Sequence, residues 1–110
     1  MISTRQNKVA RLLQKEIGDI FLKEGRNKNI LITVTIVRIS PDLSQAKIYL
    51  SLFPPDKSEN ILPNINQNSK QIRFKLAKRV RHQLRAVPEL TFFLDDSLDY
   101  YNNMEGLLND

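Results

Sequence analysis

A β-branched run joined by a five-residue turn to a second alternating run constrains this chain more than any other feature. Residues 30–39 read ILITVTIVRI. Side chains branched at Cβ lose rotamer freedom in a helix and pack well on a pleated surface, so the run is expected as a strand. Alternation assigns Ile30, Ile32, Val34 and Ile36 to the core face, and Leu31, Thr33, Thr35 and Val37 to the outer face. Ser40-Pro41-Asp42-Leu43-Ser44 supplies a turn, because proline fixes one dihedral and Asp bonds back to the chain. Gln45 to Phe53 follows as a second strand, with Ala46, Ile48, Leu50 and Leu52 on its apolar side and Lys47, Tyr49, Ser51 and Phe53 on the other. The short turn makes the pair an antiparallel hairpin. A two-stranded hairpin is not stable alone in water, so the rest of the chain must cover its apolar face.

The flanking sequence offers the cover. Val9, Leu12, Leu13, Ile17, Ile20 and Phe21 recur at helical steps within Thr4 to Lys23, with Ser3 or Thr4 as cap and Gly25 as stop. Pro54-Pro55-Asp56 ends the second strand. A helix is expected from near Asn60, which would keep Pro63 in its first turn, and a bend at the poor helix formers of residues 64–69, NINQNS. A second helix then runs from Lys70 to Arg85 until Val87-Pro88 breaks it. Glu89 to Leu94 is a third strand, with Leu90, Phe92 and Leu94 on one side and Thr91 and Phe93 on the other. A short tail helix is expected over 97–110. The order α-β-β-α-α-β gives a two-layer α+β domain spanning 1–110, a three-stranded sheet with helices on one face. That is the order of a type II KH domain, a nucleic-acid-binding fold whose usual GxxG clamp lies between adjacent helices. The three glycines, Gly18, Gly25 and Gly106, all lie elsewhere, so the clamp is absent, and a KH-shaped protein without it must hold RNA by another surface.

Charge points to that surface. Net charge is +5, yet residues 89–110 carry Glu89, Asp95, Asp96, Asp99, Glu105 and Asp110 with no Lys or Arg. The cations concentrate instead in residues 70–85, KQIRFKLAKRVRHQLR, which hold seven Lys or Arg and no acid. Ile72, Leu76, Ala77, Val80 and Leu84 share one arc of that helix; Lys75, Lys78, Arg79, Arg81 and Arg85 share the other, and Arg73 falls among the apolar positions. Cations this close repel one another, and a polyanion neutralises them. Arg5, Lys8, Arg11 and Lys15 form a second row along the first helix. The plain alternative is a solvated helix face; a membrane-surface helix is a further one.

Other chemistry is poorly represented. With no cysteine and one histidine, His82, disulfides, Cys-based zinc sites and His-centred nucleophile triads are not expected. Asp95, Asp96 and Asp99 pose the question of Mg²⁺-dependent RNA cleavage, but adjacent acids after a strand more often form a turn and helix start. Tyr49 and Phe93 are sheet aromatics of the kind that stack bases in RRM domains, but the RNP1 pattern is missing, and packing or interface roles are preferred.

Two stretches carry a family resemblance. Residues 37–51, VRISPDLSQAKIYLS, resemble the hairpin motif of bacterial ribosome-binding factor A. Ile72-Arg73 together with residues 85–97, RAVPELTFFLDDS, resembles that family's second motif, and Arg5, Val9, Lys15, Glu16 and Ile17 are compatible with its first helix. Family members carry Ala-x-Gly at a kink between two helices, where this chain has Asn68-Ser69-Lys70. The resemblance implies a KH-like, non-enzymatic, cytoplasmic assembly factor, monomeric and free of cofactors and metals. It implies binding to the free small (30S) ribosomal subunit and its precursor 16S rRNA, with ribosomal proteins as further candidate neighbours and no membrane partner. Late maturation, 16S 5′-end processing and cold adaptation are the implied roles. RNA contact is then expected at Lys70, Arg73, Lys75, Lys78, Arg79, Arg81 and Arg85, and secondarily at Arg5, Lys8, Arg11 and Lys15, on charge placement alone. A Mg²⁺-dependent nuclease, a general single-stranded RNA-binding module and a plain protein-interaction module are the alternatives.

Overall fold

The computed structural model describes residues 3–25 and 30–95. Helix α1 (Thr4–Gly25) is followed by strands β1 (Leu31–Ile39) and β2 (Gln45–Phe53), a 3-10 turn (Pro55–Lys57), helices α2 (Ser58–Gln67) and α3 (Ser69–Val80), and strand β3 (Glu89–Leu94). β2 is central, antiparallel to β1 and parallel to β3. The helices cover one face of this sheet, so the architecture is the α+β, type II KH-like one expected. The tail helix expected over 97–110 lies outside the described residues.

Local chemistry fixes each element. Ser3 and Gln6 cap α1 reciprocally: the Gln6 amide donates to Ser3 Oγ at 3.1 Å, and the Ser3 amide to Gln6 Oε1 at 2.9 Å. The same Gln6 side chain is buried and donates to the Ile39 carbonyl at 2.9 Å, tying the start of α1 to the end of β1. The hairpin turn is held by Asp42, whose carboxylate accepts from Ser40 Oγ and Ser44 Oγ, both at 2.7 Å, and from the Ser44 amide at 3.1 Å. These donors, the Ser40 hydroxyl first, lower the Asp42 pKa to about 2. Leu43 completes the turn at φ 63°.

Beneath the helices Val9, Leu13, Ile17 and Phe21 of α1 meet Ala46, Ile48, Leu50 and Leu52 of β2, Leu90 and Phe92 of β3, and Ile72, Leu76 and Val80 of α3. Phe21 and Phe92 pack edge to face at 5.7 Å. β3 is an edge strand, and α2 closes it: Asn66 donates to the Phe92 carbonyl and accepts from the Phe92 amide, both at 2.9 Å.

Four expectations need correction. First, β1 contains a bulge at Thr35, between Val34, paired with Leu50, and Ile36, paired with Tyr49. The extra residue reverses the alternation, so Val37 turns inward while Ile36 is exposed. Second, α2 starts at Ser58, which puts Pro63 inside the helix rather than in its first turn. The preceding 3-10 turn feeds it from that point, and the missing proline N–H leaves one gap in the ladder. Third, α3 ends at Val80 rather than Arg85. The Gln83 and Leu84 amides close back on the Val80 carbonyl at 2.8 and 2.9 Å, because residues 81–88 must cross back to start β3 beside Gln45. Fourth, Leu94, expected beside Leu90 and Phe92 on the apolar side, is exposed at the end of the sheet. The bend is where expected: Asn68 (φ −97°, ψ 14°) alone separates α2 from α3, while the Ile72 amide reaches its carbonyl at 3.0 Å, so the helical bonds run through the kink.

Candidate nucleic-acid interface

α1 and α3 lie side by side and antiparallel, as their ion pairs show. Lys75 meets Glu24, and Arg79 meets Asp19 at 2.5 Å and Glu16 at 3.4 Å. Rising numbers on α3 therefore match falling numbers on α1, which sets the C-terminal end of α3 beside the N-terminal half of α1. Lys15 and Arg79 line one groove between the helices, with Glu16, Gly18, Asp19 and Leu22. The two cationic rows thus belong to one helical layer.

Three of the predicted cations have partners within the protein. Arg79 is half-buried and bound by two carboxylates; the Asp19 hydrogen bond raises its pKa, and Arg79 in turn holds Asp19 below the usual carboxylate range. Lys75 is committed to Glu24. Arg73, the residue that broke the apolar pattern, donates to the Val87 carbonyl from Nε at 3.0 Å and Nη2 at 2.7 Å. It braces the crossover into β3. The remaining predicted cations, Arg5, Lys8, Arg11, Lys15, Lys70, Lys78, Arg81 and Arg85, are exposed and have no ion pair among the described residues. Lys70 and Arg73 also border a groove of about 190 Å³ between the start of α3 and β3, with Ser69, Glu89, Leu90 and Thr91.

Charge counting alone misses Phe74. It is 62% exposed, and Lys78 Nζ sits 4.6 Å from its ring centroid. Steps of four and three place Lys70, Phe74, Lys78 and Arg81 along one line, so a helical wheel identifies the aromatic within the cationic row. A ring beside unpaired cations suits a base beside phosphates.

The other candidates fall elsewhere. His82 is exposed in the turn after α3. Asp95 accepts from the Thr35 hydroxyl at the end of β3, while Asp96 and Asp99 lie outside the described residues. Among the described residues no group of three or more His, Cys, Asp or Glu side chains is placed to hold a metal ion. No described helix is long and apolar enough to cross a membrane.

Known proteins are similar to this chain in sequence and in fold. The family model described as ribosome-binding factor A matches residues 5–108. Ribosome-binding factor A of Cytophaga hutchinsonii is 49% identical, covering 99% of this chain and 84% of that protein; that of Christiangramia forsetii is 45% identical, covering 94% and 81%. The crystal structure of ribosome-binding factor A from Thermus thermophilus superposes with a TM-score of 0.65 at 25% identity, covering 81% of this chain and 94% of that one. A homology model of the Thermus thermophilus factor, fitted into a cryo-EM map of a 30S complex, gives 0.62 at 25% identity, covering 74% and 86%. Family model, relatives and fold agree along nearly the whole chain, which belongs to the ribosome-binding factor A family.

Proposed function

We propose that this chain is a non-catalytic assembly factor that binds the free small ribosomal subunit through 16S rRNA and acts late in its maturation, including processing of the 16S 5′ end. The observation that carries the reading is the cationic layer of α1 and α3, with eight exposed cations that have no ion pair among the described residues, on a member of a family named for ribosome binding. The Thermus thermophilus relative fitted into a 30S complex supports the same partner. Arg5, Lys8, Arg11 and Lys15 meet phosphates from α1; Lys70, Lys78, Arg81 and Arg85 do so from α3 and the turn after it. Phosphate contacts set position on the RNA without reading sequence, so the rigid spacing of the helices supplies shape selection. Arg73, Lys75 and Arg79 contribute by holding the layer together.

The deciding experiment is co-sedimentation of the purified protein with free small subunits and with assembled ribosomes. Selective pelleting with free small subunits is expected, and equal or absent pelleting refutes the reading. Incubation with precursor 16S rRNA and Mg²⁺ separates the nuclease alternative, which alone predicts cleavage by the isolated protein.

A further inference from the structure

The sheet face turned away from the helices carries its own charge anomaly. Because Thr35 is accommodated as a bulge, Arg38 points outward and stands directly opposite Lys47. Were Thr35 instead a regular paired residue of the ladder, strict alternation would turn Arg38 toward the core. Like charges facing across two strands destabilise the pair, and neither side chain has an ion pair among the described residues. Thr91 extends this row onto β3; Glu89, opposite Gln45, lies one row before it, and Asp95, which accepts from the Thr35 hydroxyl, lies two residues beyond Phe93. The next row holds Ile36, Tyr49 and Phe93. Tyr49 and Phe93 stack with ring centroids 5.4 Å apart and planes 27° from parallel, and Phe93 stays 36% exposed. Lys47 and Tyr49 are successive residues on one face of a strand, about 6.7 Å apart. A cation row beside an aromatic row at that step matches the alternation of phosphate and base along an unpaired strand.

We propose that this open face is a second RNA site, for a single strand, with Arg38 and Lys47 on phosphates and Phe93 against a base. The inference rests on the reading of the chain as an RNA-binding factor. It adds that one molecule contacts two RNA segments at once, because the helical cations lie on the opposite layer. A protein partner fits less well. The other exposed apolar pair, Leu31 and Phe53, is separated from the aromatic row by Thr33 and Ser51, so the apolar surface is not one continuous patch.

The test is an NMR titration of the full chain with a ten-nucleotide oligouridylate at low salt. Shifts are expected at Arg38, Lys47, Tyr49 and Phe93 as well as along α1 and α3, with two oligonucleotides bound per chain at saturation. Arg38→Gln with Lys47→Gln, both exposed, should erase the sheet-side shifts and lower the stoichiometry to one, leaving the helix-side shifts in place. Phe93→Leu, which keeps the residue apolar, should weaken the sheet-side site alone. Helix-side shifts with a silent sheet overturn this proposal and leave the proposed function standing. No shifts on either layer overturn both. A sheet face that ignores the oligonucleotide but is saturated by a peptide of residues 96–110, which is acidic and apolar, is a polypeptide site, and the proposal fails.

Discussion

Neutralising Lys78 and Arg81 together separates cations that meet RNA from cations that hold the fold. Both are exposed and unpaired among the described residues, whereas Arg79 between them is bound to Asp19 and Glu16. Each phosphate contact to single-stranded RNA contributes about 0.7 to the slope of log K against log salt. The eight helix-layer cations with no ion pair among the described residues therefore set a limit near −5.6 for binding through that layer. Lys78→Gln with Arg81→Gln should make the slope shallower by about 1.4. Extrapolated from a 1 M reference, that loss weakens binding about 25-fold at 0.1 M salt, and the two proteins converge as salt rises. Arg79→Gln should instead leave the slope within about 0.3 of native and lower the unfolding midpoint, since it unpairs two carboxylates at the α1–α3 seam. The assay is fluorescence anisotropy with an rRNA fragment across 0.05–0.5 M salt, with urea unfolding alongside. An Arg79 variant that flattens the slope as much as the double variant, or a double variant with native affinity at 0.1 M, refutes the division between binding and bracing cations.

Further consequences follow from single contacts. Gln6→Ala removes the side-chain half of the reciprocal cap, which accepts from the Ser3 amide, and the bond to the Ile39 carbonyl, and should cost about 1–2 kcal/mol in urea unfolding. Leu76→Ala empties a fully buried position and should cost about 2–5 kcal/mol by the same measurement. The Asp42 carboxylate has its pKa depressed to about 2, so its contribution is complete above its unfolded value of about 4 and is lost as pH falls through about 2. Exchange of the Ser44 amide should rise over that window relative to an Asp42→Asn control.

Strand and helix identities were legible in the sequence because long β-branched and 3.6-period stretches bury one face whatever surrounds them. The hairpin turn was legible from Pro41 and Asp42. The end of α3 was not: local propensity continues to Leu84, and only the demand that β3 start beside Gln45 shortens the helix. The cationic rows were legible as charge, but their division was not, because the acids that bind Lys75 and Arg79 lie more than fifty residues away on α1. The bulge does leave a trace in the sequence. From Ile32 to Val34 the inward residues are even-numbered, and from Val37 to Ile39 they are odd, with Arg38 on the wrong parity for a strict alternation. A charged residue on the core phase of a strand conflicts with strict alternation, and a bulge is one way to resolve the conflict.

Deleting Thr35 tests what the bulge is for. The pairs on either side, Val34 with Leu50 and Ile36 with Tyr49, are successive positions on β2, so removal leaves a regular ladder in which Ile36 and Arg38 still point outward. The shortened chain should therefore fold, keep Arg38 opposite Lys47 and retain any binding by the outer face. It forfeits the Thr35 hydroxyl's bonds to the Tyr49 carbonyl and Asp95, and one of the two carbonyls that Gln14 Nε2 reaches at 3.3 Å from α1. At about 1 kcal/mol for a typical bond, the expected loss is about 1–3 kcal/mol in urea unfolding. Cross-strand nuclear Overhauser contacts between residues 38 and 47 report the register. Their loss, with the unfolding midpoint unchanged, would show that the inserted residue sets the strand's facing rather than anchoring its edge to α1 and to the end of β3.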